Sequence, residues 1–422
     1  MTAFFDPSVT QNGQPQQGAG QFGNPYPQIQ AAYPQLNTPA PVAKRWDPPK
    51  PHSNAFYFVV VTLLTVSVLA LLSILPQLTY PAGVDGMMKA ATYAIIPLAF
   101  TTAFVLWIDA WEPEPKWLYL VALGWGGGVA VMLSAWLNTW WLTSFGPMVL
   151  GDDASQFDLQ KFAVSYGAPI VEELMKGLGV ILIFFLFKQH FNGPVDGIVY
   201  GALIGAGFAF TENILYLARY SDHMSEVFNL RFVEGPFSHD VYTAFFGFFI
   251  GFVEYSRKRM TVFLWLIPAM LGAGFFHWTN NAGTFWNISV DTYKMINNVP
   301  VLILIVAAVL FSRSYERKAV LGGLKAYEQA GWLARHEVQS LETFRGRRMG
   351  QTWAEKSVRS LGGPGGAGTE LMKAMQTEMI QLGHDRTRTV RRGIANSPES
   401  RAAEARQLEL ISRLRTSMTT AA

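Results

Sequence analysis

Two adjacent glutamates and a lysine stand in a stretch that otherwise has the composition of a membrane span. Glu172, Glu173 and Lys176 interrupt the nearly continuous apolar run 162–187. A charged side chain near the bilayer centre costs roughly 2.5–3.5 kcal/mol on insertion scales, so such groups usually face a protein interior or a water-filled cavity. Three charges within five residues therefore indicate a functional site.

The spacing of these residues limits what each can do. Glu172 and Lys176 are four residues apart and share a helix face, whereas Glu173 lies about 100° around the helix from Glu172. One lysine fully neutralises only one carboxylate, which leaves the other available as a base, a proton carrier or a ligand. A position in the first helical turn after Pro169 is the structural alternative, but it does not account for Lys176.

Further polar side chains stand at the ends of other apolar runs. Glu212 ends one run, His239 opens the next, and His277 with Asn281 closes a later one at i,i+4 spacing. With a rise of 1.5 Å per residue, these groups and the glutamate pair fall within roughly 15 Å of the same membrane face. Separate helices therefore bring them to a common depth.

A metal-assisted hydrolytic site would need this kind of set. Catalytic zinc takes about three protein ligands, commonly His and Glu, and keeps one open position for water. The metal lowers the pKa of that water, a carboxylate accepts its proton, and an amide stabilises the oxyanion. Two His, three Glu and an Asn in this set supply enough ligands for a divalent metal, zinc or another, together with a base and an oxyanion-stabilising amide.

Each of these residues also has a structural interpretation. Glu212 could pair with Arg219 on the next turns of the same helix. His239 could be a solvated residue near the membrane interface, and His277 a hydrogen-bonded core histidine. The sequence does not support the chemistry of cysteine proteases, HExxH zinc proteases or Gly-x-Ser-x-Gly serine hydrolases. It has no cysteine and neither of the two motifs.

The elements that must position these groups are membrane helices. Half of the residues are hydrophobic, and thirteen Trp and thirty Phe suit aromatic belts at the interfaces. We predict an all-α, polytopic helix bundle of about eight spans, each near the 20 residues that cross a bilayer. The predicted spans are 56–75, 90–108, 117–143, 163–187, 195–218, 237–256, 261–282 and 296–312.

The flanking segments differ in composition from these spans. Residues 1–54 are rich in Pro, Gln and Gly, which predicts a disordered tail ahead of a membrane-embedded domain over 55–312. Residues 313–422 hold nineteen Lys and Arg against eleven Asp and Glu, and we predict a basic, partly helical tail. The distribution of basic residues predicts a multi-pass protein of the cell membrane with both termini in the cytoplasm.

At this point the motifs resemble a known family. Glu172-Glu173-x-x-Lys176, Phe208-x-x-x-Glu212-Asn213, His239 and His277 are similar to the PrsW group of intramembrane metalloproteases, related to the CAAX prenyl endopeptidase and bacteriocin-processing superfamily. Asp109-x-x-Glu112-Pro113-Glu114-Pro115 and His277-x-x-x-Asn281 also match, over about 90–312. Glu212 stands where that superfamily often has histidine.

The resemblance implies a glutamic or metal-dependent membrane endopeptidase whose substrate is a membrane-anchored protein. We then expect Glu212, His239 and His277 to hold the metal, Glu172 or Glu173 to act as the base, Lys176 to hold one carboxylate in place and Asn281 to stabilise the oxyanion. Members are associated with site-1 cleavage of anti-sigma factors. We expect the lipid bilayer as surroundings and no nucleic-acid partner, and the oligomeric state stays open. A proton-coupled transporter and a non-catalytic membrane scaffold are the alternatives, since buried Glu, His and Lys also form proton relays.

Overall fold

The computed structural model describes residues 54–109, 113–234, 238–256, 258–283 and 299–420. These residues form helices and turns without a strand, so the predicted all-α membrane bundle is confirmed. The chain divides between Arg313 and Ser314 into two compact units. The predicted disordered segment 1–54 lies, apart from Asn54, outside the described residues, as does Glu112.

The membrane unit contains ten helices that are used below, numbered along the chain. They are α1 Asn54–Ser73, α2 Leu75–Thr79, α3 Gly83–Ile108, α4 Lys116–Leu150, α5 Gln156–Phe162, α6 Ala168–Leu186, α7 Pro194–Arg219, α8 Met224–Phe228, α9 Ser238–Gly251 and α10 Val262–Gly283. Helix α11, Val299–Gln329, begins in this unit and continues beyond Arg313. Two π-helical segments, Trp125–Ala130 and Trp141–Phe145, interrupt α4.

Five helices in the described part of the chain are long and apolar enough to cross a membrane: α1, α3, α4, α7 and α10. They cover five of the eight predicted spans. The other three predictions fall on helices that differ in composition or length. Helix α6 carries three charged residues, α9 has only 14 residues, and α11 continues into a charged sequence, its predicted first residues 296–298 being outside the described ranges.

Helix α7 is the centre of the bundle. Of its apolar window 72% is buried, against 17–39% for the other four candidate spans. Its glycines let a neighbouring backbone approach closely, as small residues do between membrane helices. A methyl group built on Gly201 would lie 2.2 Å from the carbonyl oxygen of Thr243 in α9, and one built on Gly205 would lie 2.4 Å from that of His239. The close approach of α7 and α9 thus brings the first turn of α9 against the core.

The acidic motif before α4 ties two helix ends together. Asp109 Oδ2, at the end of α3, accepts hydrogen bonds from the backbone N–H of Glu114 and from the hydroxyl of Tyr119. Glu114 in turn lies 3.1 Å from His190 Nδ1, in the connection between α6 and α7. His190 lies just before the start of α7 at Pro194, and at 1.5 Å per residue Pro194 is about 27 Å along the helix axis from Glu212. The motif therefore organises the end of the bundle opposite to the polar set.

The C-terminal unit has a hydrophobic core of its own. After α11 it contains α12 Arg335–Ser340, α13 Phe344–Ser360, α14 Ala367–Arg392 and α15 Pro398–Thr419. Leu324, Met379 and Leu414 are among its fully buried side chains. The segment 362–366 joins α13 to α14. It contains two glycines with positive φ, Gly362 and Gly366. The basic segment is thus a packed helical unit.

Candidate active site

Four helices of the membrane unit deliver the predicted polar residues to one place. Glu172 and Glu173 lie in the second turn of α6, and Glu212 lies near the end of α7. His239 opens α9, and His277 lies near the end of α10. All but Glu212 are buried to 7% exposure or less, and Glu212 is half-buried. These side chains therefore form one buried polar cluster.

Glu173 is the most heavily bonded carboxylate of the cluster. Its Oε1 accepts hydrogen bonds from Lys176 Nζ at 2.7 Å and from His277 Nδ1 at 2.9 Å. Its Oε2 lies 3.4 Å from the hydroxyl of Thr243. The lysine therefore pairs with the glutamate three residues before it rather than with Glu172. A carboxylate that accepts from Nδ1 fixes the orientation of the imidazole and leaves Nε2 for another partner.

Glu172 has a different environment, although the two glutamates are adjacent. Its Oε1 accepts one hydrogen bond, from Asn138 Nδ2 in α4 at 3.1 Å. Its Oε2 is buried and accepts no hydrogen bond from the described residues, and His277 Nε2 lies 3.9 Å away. A buried, unpartnered carboxylate oxygen is costly unless it binds a ligand, a proton or a cation. Glu172 is thus the acid of the pair that is free to react.

His239 is bonded through both ring nitrogens. Lys176 Nζ donates to Nδ1 at 3.0 Å, and Nε2 lies 2.8 Å from Glu212 Oε2. Glu212 also accepts from Arg231, whose Nη2 lies 2.5 Å from the same oxygen. The carboxylate of Glu212 therefore pairs with Arg231, not with Arg219, which is exposed.

Aromatic rings close the sides of the cluster. Lys176 Nζ lies 4.5 Å from the centroid of the Phe208 ring, a cation–π contact. The ring of Tyr242 stacks on His277 with centroids 5.5 Å apart, and the two imidazoles meet edge to face at 5.1 Å. These rings limit the access of water, which strengthens the electrostatic interactions inside.

One group of three residues has the geometry to hold a metal ion. Ligand atoms of Glu172, His239 and His277 all lie within 4.8 Å of one another. The unpartnered Glu172 Oε2 and the Nε2 of His277, which faces it, fit a divalent cation. His239 makes a contact through each ring nitrogen, and an ion bound there would replace one of them. The carboxylate in this group is Glu172, whereas the sequence pattern predicts Glu212.

Asn281 lies beside this group, one helical turn after His277. Its Nδ2 donates to the carbonyl oxygen of Val164 at 3.0 Å and lies 3.3 Å from His277 Nε2. The amide of Asn281 therefore lies next to His277, at one side of the candidate metal group. Such a donor can stabilise an oxyanion that forms beside it.

Three residues that sequence reasoning missed complete the cluster. Asn138 contacts Glu172, Thr243 contacts Glu173, and Arg231 contacts Glu212. An amide in the middle of an apolar span was a detectable signal for Asn138, and Thr243 lies one turn after His239. Arg231 carried no signal, because it lies in a mixed connection between two spans.

The charges of the cluster leave one carboxylate without a basic partner. Glu173 pairs with Lys176, and Glu212 pairs with Arg231. Among the described residues, no lysine or arginine forms an ion pair with Glu172. A buried site with one surplus negative charge suits a divalent cation or a protonated carboxylate. It also suits a base that takes a proton from water.

Comparison with known proteins identifies what this part of the chain is similar to. Residues 114–312 match the profile of the PrsW family intramembrane metalloprotease, so the resemblance inferred from the motifs is confirmed. No solved structure matches the chain.

Curated relatives give the extent of the similarity. Protease PrsW of Geobacillus kaustophilus (strain HTA426) is 33% identical over 131 residues, which are 30% of this chain and 56% of the relative. Protease PrsW of Bacillus subtilis (strain 168) is 32% identical over 117 residues, 28% of this chain and 51% of the relative. The chain spans about half the length of the curated relatives it matches.

Proposed function

On the premise that residues 114–312 are the part shared with the PrsW family, we propose that this chain is an intramembrane endopeptidase. It hydrolyses a peptide bond of a membrane-anchored protein close to one membrane face. The observation that carries the proposal is the convergence of Glu172, His239 and His277 within 4.8 Å, with one buried oxygen of Glu172 unpartnered. The substrate that we propose is an anti-sigma factor, which the enzyme would cleave at site 1. Both chain termini then lie in the cytoplasm.

In this proposal a divalent metal is held by Glu172, His239 and His277. When bound, such an ion acidifies a water molecule and polarises a carbonyl oxygen. Glu173 holds His277 through Nδ1 and is itself held by Lys176. Asn281 donates to the substrate oxygen as it gains charge, and the surrounding rings exclude bulk water.

A metal-free chemistry on the same residues is the second candidate. It is favoured by the two hydrogen bonds of His239, to Lys176 and Glu212, which already occupy both of its nitrogens. Here Glu172 takes a proton from the attacking water through its unpartnered oxygen and gives it to the leaving amine as the peptide bond breaks, while Asn281 donates to the oxyanion. Both candidates depend on Glu172, which is a metal ligand in the first and the base in the second.

New protein termini in bacterial membranes test the activity. Membranes from cells that produce the wild-type chain are compared with those that produce Glu172→Gln or His277→Ala, by mass spectrometry of new N-termini. We expect new termini near predicted membrane spans with the wild type, and none of them with Glu172→Gln or His277→Ala. Glu226→Gln is the matched control, because this glutamate is exposed and lies in α8, outside the cluster. Equal patterns in wild type and Glu172→Gln would contradict the proposal.

Metal content distinguishes the two chemistries. The purified full chain is analysed for divalent ions, with Glu172→Gln, His277→Ala and Glu212→Gln beside it. The proposed ligand set predicts a stoichiometric ion in the wild type that is lost in the first two variants and retained in Glu212→Gln. Cleavage by a metal-free wild type would favour Glu172 as a general base.

A further inference from the structure

Arg231 lies outside every motif, yet its side chain reaches the cluster. It belongs to the π-helical segment Asn229–Glu234, between α8 and α9. Its Nη2 donates to Glu212 Oε2 at 2.5 Å, and its Nε donates to Asn213 Oδ1 at 2.7 Å. The guanidinium also lies over the ring of Tyr216, 4.4 Å from the centroid. The planar fork thus binds three neighbouring side chains of α7.

The contact with Glu212 connects Arg231 to the imidazole of His239. Glu212 Oε2 lies 2.8 Å from His239 Nε2 and 2.5 Å from Arg231 Nη2, so a single oxygen accepts from both. Without the arginine, Glu212 would be a second carboxylate without a basic partner in the cluster. It would then compete with Glu172 for any cation, because buried carboxylates need a charge partner.

Resting on the proposed function, we infer that Arg231 is a positioning residue of the active site. It holds Glu212 against His239, and it neutralises Glu212 so that Glu172 is the carboxylate left to bind the metal ion. Arg231 acts through Glu212 and does not touch the reacting atoms. Outer partners of metal ligands of this kind typically change metal affinity or activity by about 10–100-fold when they are replaced.

A purely structural role is the alternative, in which Arg231 pins the segment Asn229–Glu234 to α7 through Asn213 and Tyr216. Two variants separate the roles. Arg231→Gln loses all three contacts and leaves the charge of Glu212 unpaired. The double variant Arg231→Gln/Glu212→Gln loses the same contacts but also removes the carboxylate, while its amide oxygen still accepts from His239 Nε2. Recovery in the double variant therefore isolates the effect on Glu212.

The test uses the purified full chain in detergent, Co²⁺ as the metal probe and a cleaved membrane-anchored reporter. We expect Arg231→Gln to weaken Co²⁺ binding and lower kcat by about 10–100-fold, with KM within about twofold of the wild type. Arg231→Lys keeps the positive charge but lacks the planar guanidinium. Its Co²⁺ affinity and kcat should fall between those of the wild type and those of Arg231→Gln. The double variant should regain most of the Co²⁺ affinity. Arg219→Gln is the matched control, since this exposed arginine ends the same helix.

Three outcomes would overturn the inference. If Arg231→Gln behaves like Arg219→Gln in both measurements, Arg231 does not act on the site. If the double variant is no better than Arg231→Gln, the arginine serves the segment rather than Glu212. A wild-type chain that neither binds Co²⁺ nor cleaves overturns the inference together with the proposed function, whereas the first two outcomes leave the proposed function intact.

Discussion

Adding one methyl group between α7 and α9 should displace the active site, and Gly205→Ala is the change that does it. A Cβ atom at Gly205 would lie 2.4 Å from the carbonyl oxygen of His239 and 2.6 Å from the Cα atom of Asp240. Ordinary contacts begin near 3.4 Å, and both neighbours are backbone atoms that no rotamer change can move. The two helices must therefore separate by about 1 Å at this level.

The expected loss of activity depends on which residue the separation of the two helices moves. The obstructing carbonyl belongs to His239 itself, so the separation carries its imidazole away from Glu212 and Lys176, now at 2.8 Å and 3.0 Å. A misplacement of 1 Å in an active site can cost about 100-fold in rate. Overpacking also destabilises a core by about 1–3 kcal/mol, which a membrane bundle of this size can tolerate. We expect a folded variant with about 1% of the wild-type activity.

The assay compares cleavage of a membrane-anchored reporter with thermal unfolding in the same detergent. Gly274→Ala is the matched control, because Gly274 lies in membrane helix α10 and its Cβ would meet nothing within 4 Å. This control should keep full activity and should gain a little helix stability. Wild-type rates for Gly205→Ala would refute the reasoning, since they would mean that α7 and α9 are not in close contact at His239.

Further predictions concern the cluster and the C-terminal unit. Asn138→Leu removes the one hydrogen bond that Glu172 accepts, and we expect kcat to fall by about 10-fold in the reporter assay, as for a lost bond to a charged group. Ile411→Ala, in the C-terminal core, should destabilise that unit by about 2–5 kcal/mol without a change in the kcat of cleavage, measured by hydrogen exchange and the reporter assay. The backbone N–H of Gly366 and the Arg359 side chain, which donate to Glu355, lower its pKa to about 2. The folded value lies below the ordinary value of 4.5, so this stabilisation is present above pH 4.5 and is lost as the pH falls toward 2. Protection from hydrogen exchange at 355–369, relative to the intrinsic rate at each pH, should fall over that range, and Glu355→Gln should remove this part of the pH dependence.

The sequence by itself determined the class of fold, the family resemblance and the glutamates, histidines and lysine of the polar cluster, but not Asn138, Thr243 or Arg231. Hydropathy and helix length indicated membrane helices, because a bilayer tolerates few unsatisfied backbone groups. The rise per residue then put Glu172, Glu212 and His277 at one depth without any knowledge of packing. The sequence also predicted a partly helical segment after residue 313, although not which helix faces cover one another.

Only the tertiary structure decided how the charges pair. Within one helix, Lys176 can reach either glutamate, and the choice of Glu173 depends on His277 from α10, which binds the same oxygen. Glu212 similarly has a basic residue nearby in sequence, Arg219, but pairs with Arg231 because the connection after α8 folds back onto α7. These pairings leave Glu172 as the unpartnered acid. Spacing along a helix fixes which groups share a face, whereas the partners that other helices supply fix which group is free to react.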